Sequence, residues 1–135
     1  NVHMQICIDD KQCWWGIRID ESAWYDLNVL IKRAEEDFSR DEIVAAAKLA
    51  LNFDFELNGG GARPLSEMTH RDWRDIAGEV HPGENAVEIV HRMQSSEAIA
   101  LGEDLAATIT QELLSLLEFF KLCSWTLDSP NGATA

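Results

Sequence analysis

The sequence predicts an α+β fold that is predominantly helical, with an N-terminal antiparallel β-hairpin and a candidate third strand packed on about five helices. Three observations carry this expectation. Residues 13–20 alternate, with Trp15, Ile17 and Ile19 on one side and Gly16, Arg18 and Asp20 on the other, the period of a strand with one buried face. Much of the remaining chain keeps the three-and-four spacing of amphipathic helices. The length of 135 residues, 46% of them apolar and five of them tryptophan, suffices for one core but leaves two half-sized ones too small.

The hairpin joins residues 5–8 to residues 13–20 across the polar Asp9-Asp10-Lys11-Gln12. Ser22 then caps a helix in which Trp24, Leu27, Ile31, Ala34 and Phe38 form one apolar stripe. Ser39-Arg40-Asp41-Glu42 reads as a capping box that opens a second helix, with Ile43, Val44, Ala47 and Leu51 inward. Phe53, Phe55 and Leu57 alternate with Asp54 and Glu56, the pattern of a short strand able to join the hairpin.

Residues 58–64, Asn-Gly-Gly-Gly-Ala-Arg-Pro, are the clearest break and read as the boundary between a β-containing half and an all-helical half. In the second half a helix from Ser66 buries Thr69, Trp73, Ile76 and Val80 and stops at His81-Pro82-Gly83. A short helix over residues 84–94 turns Val87, Val90 and Met93 or Ile89 inward. A long helix over residues 97–122 carries Leu101, Leu105, Ile109, Leu113 and Leu116 and forms the central beam. Leu114, Phe119 and Leu122 widen its apolar surface until it is nearly all round, the mark of a helix either buried by several neighbours or shared with another subunit, and a homodimer through this face is the preferred expectation.

The domain is expected to span residues 4–128. Asn1-Val2-His3 ahead of Met4 reads as an expression remnant or a truncated start, and residues 129–135 as a flexible tail. Cys7, Cys13 and Cys123 form no CxxC pair, and their odd number fits free thiols in a reducing, cytoplasmic setting better than a disulfide framework or a zinc knuckle. Cys7 and Cys13 fall on neighbouring strands. No run approaches the roughly 18 apolar residues of a membrane span.

Charge is the most informative bulk property. Against 24 acidic residues stand 11 basic ones, a net −13. Such a surface repels phosphate backbones and anionic headgroups, so direct nucleic-acid and membrane-surface binding are both disfavoured. A basic protein is the matching partner: a toxin, a nuclease or a nucleic-acid-binding protein. The density peaks at Glu35, Glu36, Asp37, Asp41 and Glu42, within eight residues around a helix-to-helix corner that only Lys32, Arg33 and Arg40 offset. Trp14, out of register with the buried Trp15, is the candidate indole anchor beside that charge.

Two constellations carry potential chemistry. Glu88-Ile89-Val90-His91, with Glu84 before it, has the E-x-x-H spacing of helical di-metal sites, but those need the pattern twice. His70, Asp72, Asp75, Glu79 and His81 cluster around a second helix, yet Arg71 and Arg74 lie among them and ion pairing is the commoner account. No nucleophile motif or phosphate-binding loop is present. The chain is therefore expected to be non-enzymatic, with no catalytic residue, metal or cofactor. Its expected role is to block a basic surface, as an immunity protein does to a toxin or a nucleic-acid mimic to a nuclease. An acidic secretion-type chaperone that holds an extended client is the first alternative. A metal-dependent enzyme built on residues 70–91 is the second.

Overall fold

The computed structural model describes residues 2–58 and 60–124, and the expected tail over residues 129–135 lies outside them. The hairpin forms as the alternation demands: β1 (Val2–Ile8) pairs antiparallel with β2 (Gln12–Ile19), Ile8 opposite Cys13. Val2 and His3 are part of β1, opposite Ile19 and Arg18. The turn is held by Asp9, whose carboxylate accepts from the backbone N–H of Lys11 at 2.8 Å and of Gln12 at 2.7 Å. These bonds hold the Asp9 carboxyl below the usual carboxylate range.

After α1 (Trp24–Glu35) and α2 (Asp37–Leu49), the expected short strand appears as β3 (Asp54–Leu57), followed by β4 (Arg63–Pro64), a 3-10 turn and α3 (His70–Glu79). The largest correction comes next. Residues expected to form a helix over 84–94 instead form β5 (Val87–Gln94), which lies between β2 and β3 in a five-stranded antiparallel sheet of order β1-β2-β5-β3-β4. Val87, Ile89 and Val90 are β-branched, and Val87, Ile89, His91 and Met93 face the same way as Ile19, Ile17, Trp15 and Cys13 opposite them. The spacing of so short an apolar run fits both periods, and pairing with two neighbouring strands decides for the sheet. The break at residues 58–64 therefore separates no helical half: the second half supplies the central strand.

The sheet has one covered face. Cys13, Trp15, Ile17 and Ile19 of β2, Val87 and Ile89 of β5 and Phe55 of β3 join buried residues of all six described helices in one apolar cluster. Gly16 keeps β2 and β5 close: its φ is +153°, and a Cβ there would lie 1.9 Å from the Ile89 carbonyl oxygen. The opposite face carries Trp14, Arg18, Glu56, Glu88 and Arg92. Arg92 donates to the Glu56 carboxylate at 3.0 Å, and Arg18 pairs with Glu88 at 3.4 Å.

The α1–α2 region differs from expectation in three places. Ser22 does not cap α1. Its hydroxyl donates to Asp20 at 2.6 Å, and α1 buries Leu27, Leu30 and Ala34 while Trp24 and Phe38 stay exposed. Ser39 does not open α2, which starts at Asp37. Its hydroxyl instead donates back to the Arg33 carbonyl at 2.8 Å, closing the corner. Leu51 is exposed rather than inward.

The expected long helix is three: α4 (Ser95–Leu101), α5 (Asp104–Ser115) and α6 (Leu117–Cys123). Gly102, at φ +55°, ends the first with a conformation that only glycine adopts at little cost, and a turn at Leu116 redirects the last. Ile109, Leu116 and Phe119 are buried in the shared core, so part of the surface that reads as all-round apolar is consumed within this chain, while Leu117 is exposed. Leu114 remains exposed. Of the expected inner face of α3, Trp73, Ile76 and Val80 are buried, whereas Thr69 is exposed as the cap of the helix. The helix starts at His70 rather than Ser66, through a capping box in which Thr69 and Asp72 each satisfy the other's backbone N–H.

Candidate partner-binding surfaces

The acidic corner sits where α1 turns into α2. Glu36 is the residue between the two helices, Glu35 ends the first, and Asp37, Asp41 and Glu42 lie on the second. Of the three cations that offset them by count, Arg33 and Arg40 turn inward and Lys32 stays exposed. Arg40 is 4% exposed, and its guanidinium donates to the carbonyls of Ala34 at 3.0 Å and Glu35 at 3.1 Å, with Asp37 as its carboxylate partner. Arg33 donates to the Leu122 carbonyl at 2.8 Å, tying α1 to the end of α6. Lys32 reaches Glu36 at 3.8 Å, and Asp41 lies 3.2 Å from His70 Nδ1. Glu35 and Glu42 have no ion-pair partner among the described residues. The outer shell of the corner is thus carboxylate and its inner shell guanidinium, a consequence of helix ends whose free carbonyls need donors.

Trp14 is not beside this charge. It lies on the open face of the sheet, half-buried, with the Arg92 guanidinium 5.9 Å from its ring centroid, whereas α1 and α2 pack on the covered face. The corner has a different apolar neighbour: Glu42 and Glu118 border a shallow depression floored by Ala45, Ala46, Leu49 and Leu122.

The two constellations read for chemistry are taken apart by the fold. Glu88 and His91 stand three residues apart on a strand, which puts them on opposite faces of β5. His91 points to the covered side, where its Nδ1 lies 2.6 Å from Glu112 Oε1. The same oxygen accepts from Trp15 Nε1 at 3.1 Å, and the two rings meet edge to face at 4.9 Å. This half-buried group joins α5 to the two central strands, a role that sequence spacing could not disclose across 97 residues. Around α3, Asp72 is engaged in the helix cap, and the Thr69 backbone bond keeps its carboxyl low, while His70 turns to Asp41 on α2. Among the described residues no three His, Cys, Asp or Glu side chains gather as a metal-ligand set.

The three cysteines are free thiols. Cys7 and Cys13 flank the hairpin turn but project from opposite faces, since Cys7 pairs with Trp14 and Cys13 with Ile8. Burial pushes the Cys13 and Cys123 thiols up, away from reactive thiolate. Among the described residues no helix is long and apolar enough to cross a membrane.

A further surface went unread in the sequence. On the covered face of β1, Ile6 and Ile8 are 54% and 68% exposed, and opposite them across a groove stand Leu105 and Ile109 of α5 and Ile99 of α4. Comparison with protein-family models, characterised proteins and solved structures finds no match, so the geometry of these surfaces is what bears on function.

Proposed function

We propose that this chain is a non-enzymatic acidic binding protein that covers a basic surface of a protein partner, in the manner of an immunity protein or a nucleic-acid mimic. The observation that supports this reading most is the orientation of charge at the α1–α2 corner. Arg33 and Arg40 serve backbone carbonyls, which leaves Glu35, Glu36 and Glu42 to face solvent. Charge arranged this way attracts a basic partner over roughly a Debye length, about 8 Å at physiological salt, and speeds encounter more than it tightens the final complex. The depression beside Glu42 adds an apolar foothold of the kind that a charged rim surrounds in protein interfaces. Operation in a reducing cytoplasm fits the three free thiols.

The test is affinity capture from the source cell at low and high salt, with the wild type and with Glu35→Gln/Glu36→Gln/Glu42→Gln. The reading expects a basic protein that is held at low salt, released at high salt and lost with the triple variant. Retention of a partner at high salt by both proteins contradicts it. A second reading, a chaperone that holds an extended client by apolar contact, is favoured by the groove beside β1, and it expects the salt-resistant outcome.

A further inference from the structure

Of the two edges of the sheet, β1 is the one that any added strand would use. Its outer side pairs with no strand among the described residues. Val-His-Met-Gln-Ile-Cys-Ile contains no proline, lysine, arginine, aspartate or glutamate, the residues with which sheet edges are usually protected against further pairing. The groove beside it holds about 360 Å³ next to Ile8, Cys13 and Ile99, and continues past Ile6 along Ala106 and Ile109 for about 340 Å³ more. Every second side chain of a strand laid on β1 would enter this groove.

The rim is anionic. Asp9 and Asp10 line the groove itself, Glu97 lies on α4, and Glu103 and Asp104 stand at the α4–α5 turn. Residues 93–120 contain no lysine or arginine, and Lys11 is the one cation in the hairpin turn. A second copy of this chain would bring the same anions to the same rim. Residues 122–135 contain Asp128 and neither lysine nor arginine, so they do not match the rim either. Charge complementarity selects a different occupant.

We propose that the free edge of β1 and the groove under Ile6 and Ile8 bind an extended segment of a protein partner, one with alternating apolar side chains flanked by lysine or arginine. The segment adds to the sheet as a sixth strand. Main-chain hydrogen bonds hold its backbone, alternate side chains fill the groove, and Asp9, Asp10, Glu103 and Asp104 receive the flanking cations. This deepens the reading of a basic partner, on which it rests for the sign of the occupant's charge, and it is separable from the corner.

The experiment is selection of a random twelve-residue peptide display library on the intact protein. The best peptide is then measured against wild type, Ile8→Lys/Ile99→Lys and Glu35→Gln/Glu36→Gln/Glu42→Gln. Both isoleucines of the first variant are exposed, so an unchanged thermal melt is expected to show that it folds. Enriched peptides should alternate apolar residues between basic flanks. They should lose at least tenfold in affinity for the groove variant and less than threefold for the corner variant. Peptides without basic flanks, no enrichment at all, or binding that survives Ile8→Lys/Ile99→Lys would overturn the proposal. So would sedimentation as a dimer that the same variant dissociates, which makes a second copy the occupant, or enrichment only after residues 125–135 are removed, which makes the chain's own end the occupant. Loss with the corner variant alone overturns the groove proposal and leaves the corner reading standing. Loss with the groove variant alone supports the groove whatever the corner does.

Discussion

The two edges of the sheet are treated in opposite ways. At one end β4 is two residues long, Arg63 and Pro64. Proline has no N–H to offer, Arg63 lies against the Phe55 ring, and the chain leaves at once into a 3-10 turn through a bond from the Leu65 N–H to the Phe53 carbonyl. At the other end β1 runs seven residues with no charged or proline residue and with two isoleucines half or more exposed. A chain with 24 acidic residues could have placed one of them on β1 at no cost to the core, and near this edge its sequence instead sets Asp9 and Asp10 at the turn, Glu97 on α4 and Asp104 on α5. The contrast teaches that an open edge can coexist with a strongly anionic chain: net charge opposes self-association while the strand itself stays unpaired.

The harshest way to break this comparison is to remove the interior that both edges share. Gly16→Ala places a Cβ against the Ile89 carbonyl and forces a β-carbon into a φ of +153°. A loss of about 3 kcal/mol or more is expected, read as a large fall in the urea midpoint. Glu112→Ala should act on one side only. It deprives Trp15 and His91 of their shared acceptor and loosens α5, the wall of the groove, from β2. The expected cost is about 1–3 kcal/mol. Amide exchange should rise in α5 and β2 more than in β3 and β4.

Acid should sharpen the contrast further. Asp20, at the end of β2, accepts from the Ser22 hydroxyl and backbone N–H and from Arg18, bonds that bring its carboxyl down to about 2. Because the folded value lies below the ordinary 3.8, its contribution is complete above about pH 4 and is lost as pH falls from there toward 2. Asp20→Asn should flatten the fall in melting temperature over that window while changing little at neutral pH beyond the lost bonds. The smallest effect on folding is expected for Ile8→Lys, within about 0.5 kcal/mol because the side chain is already in water.

How much of this was legible in the sequence depends on how local each determinant is. The hairpin, β3 and the inner face of α3 follow from alternation and from the spacing of Trp73, Ile76 and Val80, and all three stand in the structure. β5 misled because Val87, Val90 and Met93 satisfy a helical spacing while Val87, Ile89, His91 and Met93 satisfy a strand. Only pairing with β2 and β3, 30 and more residues away, separates the two. The overlong helix misled because the leucines keep a helical period straight across Gly102, although one positive φ suffices to end a helix.

For the candidate surfaces the pattern is the same. The acidic corner is contiguous in sequence and could be named residue by residue, but the inward turn of Arg33 and Arg40 could not. The distance of Trp14 from that corner follows from which face the helices cover, a tertiary fact. The groove lies furthest from view, because the exposure of Ile6 and Ile8 depends on strand order and on where α5 stops.

The most direct test of the central claim is amide hydrogen exchange along β1 in the free protein and in complex with its basic partner segment. Added-strand binding predicts slowed exchange at alternate β1 amides, those on the edge away from β2, with β4 unchanged. Equal exchange across Val2–Ile8 in the free and bound states would contradict it.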